Sequence, residues 1–284
     1  SRLQVQLGED GFPSSWNHQL AGPSAISEFA WQLVDTRAVG SALKWIDWDV
    51  TSTEGTQLPY AIPEHEMEYE VVEPGIRVGF WRSVGNSHNA FTVESVLDEA
   101  ANLAGRDPLE YRLALLNDQP RHRTVLERAA KEAVWGAELP EGHARGIALH
   151  ESFKSIVAQV VEVSVDAGTV RVHKVHCAID CGRYVNPNII RQQLEGAVVF
   201  GLSAALYEQI TLKDGAVANS NFHDYRVARL SESPEVFVSI IENDEAPGGV
   251  GEPGVPPIAP ALCNAIYAAT GKRIRRLPVA NQLI

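Results

Sequence analysis

The chain has 284 residues, of which 45% are hydrophobic and 21% charged, and its formal net charge at pH 7 is -12. A chain of this size and composition can bury a sizeable core in one large domain or two smaller ones. The negative balance argues against a nucleic acid or an anionic membrane as partner, because both require a basic surface. No apolar run reaches the roughly 18 residues of a membrane-spanning helix, and no signal-peptide pattern is present.

The first part of the sequence indicates strands and loops. The stretch "RLQVQLGEDGFPSSWNHQLAG" predicts a strand, a turn at Glu9-Asp10-Gly11 and a second strand. A helix is predicted near Ile26 to Val34. Residues 50–80 are rich in Pro, Glu and Gly, which favours loops and short strands, and the alternation in "EMEYEVVE" predicts an edge strand.

Three helices are predicted in the middle of the chain. Apolar residues recur at steps of three and four from Ala90 to Leu103, and Gly105 is placed to end that helix. Asp107 and Pro108 have the residue types preferred at the N-cap and first position of the next helix. The stretch "RTVLERAAKEAVW" predicts the third.

The second half alternates between strands and helices. Two alternating runs around Asp166-Ala167-Gly168 predict a hairpin, and "NPNIIRQQLEGAVVFGLSAALYEQ" predicts a helix whose small residues favour close packing. A turn follows at Asp214-Gly215, then a strand in "EVFVSIIE" and a last helix from Ala259 to Thr270, capped by Gly271. Strand pairs interspersed with helices predict an α+β fold.

The cysteines leave two interpretations open. Cys177, Cys181 and Cys263 are too few for a disulfide scaffold, and their spacing is not that of a zinc ribbon. His173 and His176 lie close to the first two, but "GTVRVHKVHCAI" alternates like a strand. Ordinary strand residues on its two faces are therefore favoured, and a metal or redox site is the alternative.

One carboxylate stands in a run of Gly and Pro, "GGVGEPGVPPIAPALCNAI". The glycines around Glu252 allow close backbone approaches, and the prolines after it stiffen the segment, so the loop can hold one side chain at a fixed angle. Glu252 is then a candidate general base, with a solvated loop residue as the alternative. A third interpretation is a hydrolase that pairs Glu252 with His223 or Asp224 of "NFHDYR".

Two further stretches bear on the choice. "GFWRSVGNSHNAF" places Arg82 and Gly85 ahead of a polar cluster, after which a helix is expected to begin and to present an N-terminus that favours anions. "VNPNIIRQQLEGA" places Gln193 beside small apolar residues, where a buried amide would need a partner. Each signal is weak alone, because arginines before helices and surface glutamines are common.

In five blocks, which follow one another in the same order, the chain resembles the C-terminal part of the large subunit of the molybdenum hydroxylases, the xanthine dehydrogenase and aldehyde oxidase superfamily. Within it, the likeness is to subunits of the isoquinoline 1-oxidoreductase type. The blocks are "WRSVGNSHNAFTVESVLDEAA", "DPLEYRLALL", "CAIDCGRYVNPNIIRQQLEGAVVFGLSAAL", "NFHDYRVARL" and "PGGVGEPGVPPIAPALCNAIYAATGKRIRRLP". The resemblance implies a C-terminal molybdopterin-binding region of α+β class, with mixed sheets packed against helices. Residues 1–80 would be part of a first molybdopterin-binding domain, and residues 81–284 would be the second.

The resemblance also implies roles for individual residues. In the family mechanism, the glutamate that Glu252 matches takes the proton of a Mo–OH group, the oxygen attacks an electron-poor carbon of an N-heterocycle or aldehyde, and hydride passes to a Mo=S sulfur. Val84 matches a position often held by a Phe that packs on the substrate, so that contact would be lost or altered. No protein side chain binds the metal. The cofactor contacts are expected from Arg82, Gly85, Gln193 and Gly251.

The implied cofactor is molybdenum held by molybdopterin, with the cytosine dinucleotide form expected. Electrons would leave through [2Fe-2S] clusters on a small partner subunit, since three Cys at these spacings cannot ligate a cluster. The family's glycine-rich segment of the "EMGQG" kind is absent, and the chain opens within a strand without an initiator Met. We therefore expect the N-terminal remainder of the large subunit to complete the pocket for a small-molecule substrate. The alternative is a non-catalytic scaffold or assembly fragment, inactive alone.

Overall fold

The structure is a computed structural model that describes residues 1–27, 29, 48–73 and 75–283. The chain forms two compact units, Ser1–Pro120 and Arg121–Ile284. The predicted α+β class is confirmed, since each unit contains a sheet and helices. The family-domain boundary after residue 80 is a separate statement about ancestry and stays a prediction. No helix among the described residues is long and apolar enough to cross a bilayer.

The first unit contains a three-stranded sheet and three helices. In chain order these are β1 (Arg2–Leu7), β2 (Pro13–Gly22), α1 (Val50–Thr53), β3 (Glu64–Val71), α2 (Gly85–Leu103) and α3 (Pro108–Leu115). The sheet order is β1-β2-β3, with β1 antiparallel and β3 parallel to β2. The predicted strand, turn and strand and the predicted edge strand are confirmed. The helix predicted near Ile26 to Val34 lies mostly outside the described residues.

The two longer helices of this unit are joined as the sequence predicts. Gly105 follows α2 with φ +64°, a left-handed conformation that favours glycine. The Asp107 carboxylate accepts from Leu109 N at 2.8 Å and so caps α3. Inside the unit, the fully buried Arg112 of α3 donates to the Glu94 carboxylate of α2 at 2.9 Å. This ion pair fixes the two helices to each other, because neither charge could stay buried without its partner.

The second unit is built on a four-stranded sheet. In chain order its elements are α4 (Pro120–Glu132), β4 (His143–Ser152), β5 (Ser155–Asp166), β6 (Thr169–Asp180), α5 (Pro187–Leu206), β7 (Leu212–Lys213), β8 (Ala216–Val217), a 3₁₀ turn (Leu230–Glu232), β9 (Glu235–Ile240) and α6 (Ile258–Thr270). The sheet order is β4-β5-β6-β9, antiparallel except for the parallel pair of β6 and β9. The predicted helices and the two predicted hairpins are confirmed. Strand β4 was not predicted.

Glycines allow helices to approach this sheet closely. A Cβ on Gly146 of β4 would collide with backbone atoms of Ala261 and Ala265 in α6. A Cβ on Gly201 of α5 would collide with the Ile258 side chain. The close packing that the small residues of α5 predict is therefore confirmed.

The histidines and cysteines of β6 are strand residues, as the alternation favours. His173 stacks on His143 with ring centroids 4.2 Å apart, and His176 stacks on Phe237 at 4.8 Å. Burial raises the pKa of the Cys177 thiol to about 12, so it is not poised as a thiolate ligand. Within the described ranges, no group of three or more His, Cys, Asp or Glu side chains is arranged to hold a metal ion.

Candidate functional site

Glu252 lies on a loop of residues 248–257, which we call the Glu252 loop. Its side chain is half-buried, whereas every residue from Pro253 to Ile266 is buried. The Glu252 carbonyl oxygen accepts from Val255 N at 2.9 Å, which closes a turn immediately after the carboxylate. The carboxylate therefore stands at the outer end of a segment that runs directly into the core.

Before Glu252, the loop is bound to the β4–β5 hairpin and to the end of β6. Gly248 N donates to Cys181 O and Gly249 N to Phe153 O, each at 2.8 Å. The Ser155 hydroxyl donates to Gly249 O at 2.6 Å. A Cβ on Gly248 would collide with the same hydroxyl, so only glycine fits there.

After Glu252, the loop is bound to β5 and packs on α5. Gln159 Nε2 donates to Gly254 O at 2.8 Å. A Cβ on Gly254 would lie 2.8 Å from Ala197 Cβ and 3.0 Å from Leu194 Cδ1, so the loop backbone meets the helix surface directly. The loop is fixed on both sides of its carboxylate, which is the property its Gly and Pro content predicts.

Gln193 and Gly251 are brought together. The Gln193 amide oxygen lies 3.9 Å from the position that a Cβ on Gly251 would occupy. Gln193 is half-buried on α5, and Gly251 is exposed immediately before Glu252. A side-chain amide thus lies beside an open stretch of loop backbone, next to the candidate base.

In the first unit, Arg82 and Val84 lie in a strained turn ahead of α2. Ser83 and Val84 have φ values of +75° and +51°. A β-branched residue in this region is an outlier, and each such conformation costs about 1–3 kcal/mol. The Ser87 hydroxyl donates to Arg82 O at 2.8 Å and helps to hold the turn. Strained backbone of this kind is typical of binding sites.

Gly85 has a packing role that the sequence did not reveal. A Cβ on Gly85 would collide with Thr51 O and would lie 2.8 Å from Ser52 O, both in α1. The glycine therefore lets two backbones meet inside the first unit. Any contact of Gly85 with a cofactor would have to use its backbone.

The prediction that α2 begins after the polar cluster was wrong, because the helix begins at Gly85. Two members of the cluster bind the α1 segment: Asn86 Nδ2 donates to the Glu54 carboxylate at 3.0 Å and Asn89 Nδ2 to Glu54 O at 2.8 Å. Asn86 N donates to Ser83 O at 3.1 Å. The first turn of α2 is therefore partly used by the protein itself, which weakens the expected anion site.

The candidate residues are divided between the two units. Arg82, Val84 and Gly85 belong to the first, and Gln193, Gly251 and Glu252 to the second. Among them, the structure brings Gln193 and Gly251 together, beside Glu252 in the sequence.

The residues proposed for a hydrolase are turn residues. The Asp224 carboxylate accepts from Ser220 N at 2.8 Å and from Asn221 N at 3.0 Å. Hydrogen bonds from the backbone N–H groups of Asn221 and Ser220 lower the pKa of Asp224 to about 2. His223 is exposed, and its Nε2 lies 3.8 Å from Asp224. A carboxylate that stays ionised and closes its own loop is unsuited to general acid work.

Two residues that support the Glu252 loop were missed. Ser155 and Gln159 are fully buried on β5. A signal for Gln159 was present, since it is the one polar residue within "IVAQVV", and a lone buried amide must find a partner. Ser155 begins a strand after a turn, where serine is ordinary, and offers no such signal.

The donors beside Glu252 suit an anionic, oxygen-rich cofactor. Backbone N–H groups beside glycines and side-chain amides are common partners of phosphate and oxo groups. Gly251 and Gln193 supply both kinds at one place, where the space that a Cβ would fill is open. The residues present therefore fit a pterin cofactor at this position.

Comparisons with known proteins agree with this arrangement. Residues 122–234 match the molybdopterin cofactor-binding domain family. Over 230 residues, 79% of the chain, it is 34% identical to the beta chain of isoquinoline 1-oxidoreductase from Brevundimonas diminuta. Over 246 residues, 80% of the chain, it is 33% identical to a component of nicotinate dehydrogenase from Pseudomonas putida. The matches span only 29% and 21% of those proteins.

Among solved structures, the fold is similar to quinoline 2-oxidoreductase from Pseudomonas putida 86. The TM-score is 0.78 over 99% of this chain and 60% of that one, at 11% sequence identity. Such low identity shows a shared fold and nothing about individual residues. The expected molybdopterin-binding fold is confirmed.

Proposed function

The chain belongs to the molybdenum hydroxylase family, and on this premise we propose that it is part of a catalytic subunit in which Glu252 acts as the general base. The reaction proposed is hydroxylation of an electron-poor carbon with an oxygen atom that comes from water. The observation that carries the proposal is the Glu252 loop, which is bound on both sides of a carboxylate and lies beside Gln193 and Gly251.

The molybdenum cofactor, proposed in its cytosine dinucleotide form, supplies the two-electron oxidation chemistry when bound. Gln193 would donate its amide N–H groups to cofactor oxygens, and Gly251 would offer its backbone N–H at close range. Arg82 would add a guanidinium that suits an anionic oxygen or phosphate. The electrons would pass to [2Fe-2S] clusters of a small partner subunit. The N-terminal remainder of the large subunit would complete the cavity.

The role of Glu252 is to take a proton. Its carboxylate would accept the proton of the oxygen that attacks the substrate carbon, which makes that oxygen nucleophilic at neutral pH. General base catalysis of this kind contributes about 10²- to 10⁴-fold when the base is within hydrogen-bond reach. A fixed loop favours such reach, because misplacement by about 1 Å can cost about 10²-fold.

The substrate class proposed is an aromatic N-heterocycle, with an aldehyde as the second choice. The names of the two relatives refer to isoquinoline and nicotinate, both of which contain an electron-poor ring carbon next to nitrogen. Val84 is half-buried and is smaller than the Phe that the family often has there. A planar ring would then be held with less aromatic contact.

The test is Glu252→Gln in the assembled enzyme. This change keeps the size of the side chain but removes its ability to accept the proton. We expect unchanged molybdenum and pterin content and a fall in kcat of about 100-fold or more. The matched control is Glu141→Gln, the same change at an exposed loop position of the second unit, which should keep full activity.

Two results would contradict the proposal. Near-normal turnover of the Glu252→Gln enzyme would end the assignment of the base. Absence of molybdenum and pterin from the assembled unsubstituted protein would instead support the alternative of a non-catalytic scaffold.

A further inference from the structure

Strand β5 has two buried polar side chains on one face. Ser155 and Gln159 are both 0% exposed, and residues four apart in a strand project to the same side of a sheet. Their neighbours from Ile156 to Val161 are otherwise apolar and buried. A buried hydroxyl or amide costs free energy unless it forms a hydrogen bond, so the partners of these two groups indicate what they do.

Both groups bond to the Glu252 loop. Ser155 donates to the carbonyl of Gly249, three residues before Glu252, at 2.6 Å. Gln159 donates to the carbonyl of Gly254, two residues after it, at 2.8 Å. The two bonds therefore lie on either side of the carboxylate. Apolar residues at the two strand positions would remove both bonds.

The strand that carries the pair is held on both of its edges. Ser155 pairs with Ser152 of β4, and Gln159 pairs with Cys177 of β6. A strand inside a sheet moves less than a surface loop, since both of its rows of backbone groups are bonded. The pair thus refers the position of the loop to the most constrained element of the second unit.

We propose that Ser155 and Gln159 are positioning residues for Glu252, and that they set where its carboxylate stands during proton transfer. The inference rests on the proposed function of Glu252. A single bond would leave the loop free to pivot about it, whereas two bonds on opposite sides of Glu252 fix both the position and the direction of its side chain. Neither residue needs to touch substrate or cofactor.

The variants are Ser155→Ala and Gln159→Met in the assembled enzyme. Each removes the donor and keeps most of the side-chain volume. The matched control is Ser152→Ala in the same hairpin, a buried serine whose hydroxyl has no hydrogen-bond partner within the described residues. We expect kcat to fall about tenfold or more in the two test variants, with KM changed less than about threefold and cofactor content unchanged. The control should keep full activity.

A second readout does not depend on turnover. The amides of Gly248, Gly249 and Val255 are bonded within the loop and its supports, so their hydrogen exchange reports how firmly the loop is held. Exchange at these amides should be faster in both test variants and unchanged in Ser152→Ala. Unchanged exchange in both test variants would overturn the proposal. Ser155→Ala removes a single oxygen atom and carries the test if Gln159→Met does not fold.

Combination with Glu252→Gln separates positioning from general damage. If the pair acts through Glu252, adding Ser155→Ala or Gln159→Met to Glu252→Gln should cause no further loss of kcat, since residues that act as a unit are not additive. Losses that multiply would overturn the positioning role. Full activity of Glu252→Gln alone would instead refute the base, and the exchange data would still show whether the pair holds the loop.

Discussion

At the scale of single residues, Gly85 shows that one position can be needed for packing and also proposed for binding. Its Cα faces two carbonyl oxygens of α1, Thr51 O and Ser52 O, at distances that exclude a methyl group. We expect Gly85→Ala to lower the free energy of unfolding by about 1–3 kcal/mol, the usual cost of overpacking. The measurement is urea-induced unfolding.

The control for this prediction is Gly79→Ala. Nothing lies within 4 Å of a Cβ on Gly79, and its φ is not in the left-handed region. This change should be neutral or slightly stabilising, because alanine restricts the unfolded chain. If both variants had equal stability, the packing role of Gly85 would be refuted.

At the scale of elements, α5 has two glycines in opposite surroundings. A Cβ on Gly196 would meet nothing within 4 Å, whereas a Cβ on Gly201 would collide with Ile258 of α6. Gly196→Ala should stabilise the protein by up to about 1 kcal/mol, the difference in helix propensity. Gly201→Ala should destabilise it by about 1–3 kcal/mol. Thermal unfolding of the two variants checks the opposite signs, and shifts in the same direction would contradict the packing of α5 on α6.

Local signals made most elements predictable. The Asp107 cap, the Gly105 and Gly271 ends and the turn at Ala167–Gly168 are each determined by a few adjacent residues. Strand β4 was missed because Gly146 interrupts its apolar pattern, and that glycine is explained only by the backbone of α6. The parallel pairing of β6 with β9 joins distant segments, and no local pattern announces it.

The same limit applies to the site. Glu252 and Gln193 stand out in their own stretches of sequence. Ser155 and Gln159 act on carbonyl groups 94 and 95 residues away in the chain. Their role depends on where the loop packs, so it is visible only in the folded protein.

At the scale of the whole molecule, each unit contains a buried histidine with a lowered pKa. Burial lowers the pKa of His18 in the first unit to about 4, and neighbouring positive groups add to the effect. Burial also lowers the pKa of His150 in the second unit to about 4, partly opposed by Glu151. Both are therefore neutral in the folded protein at neutral pH and resist protonation.

This arrangement predicts acid sensitivity. The unfolded chain binds protons on these residues near pH 6.5, the ordinary histidine value, but the folded chain does not until about pH 4. Stability should be full above pH 6.5, fall as the pH drops through that value, and have lost this contribution completely near pH 4, by about 1.4 kcal/mol per pH unit for each residue at most.

Urea unfolding between pH 7.5 and pH 5 measures the slope. The variant His150→Asn should reduce it, because one of the two titrations is removed. His223→Asn, at an exposed position, should leave it unchanged. A slope that is the same in all three proteins would contradict the assignment.

The close approach of backbones at Gly146, Gly201 and Gly254 has a consequence for reading variation in this protein. In a saturation library, all three codons would accept only glycine, whichever reaction the enzyme performs. Intolerance at Gly254, a short step from Glu252, would then report the thickness of a helix and not the demands of chemistry. Val84 touches no such barrier, so the residues accepted there would be the better record of which molecule is selected.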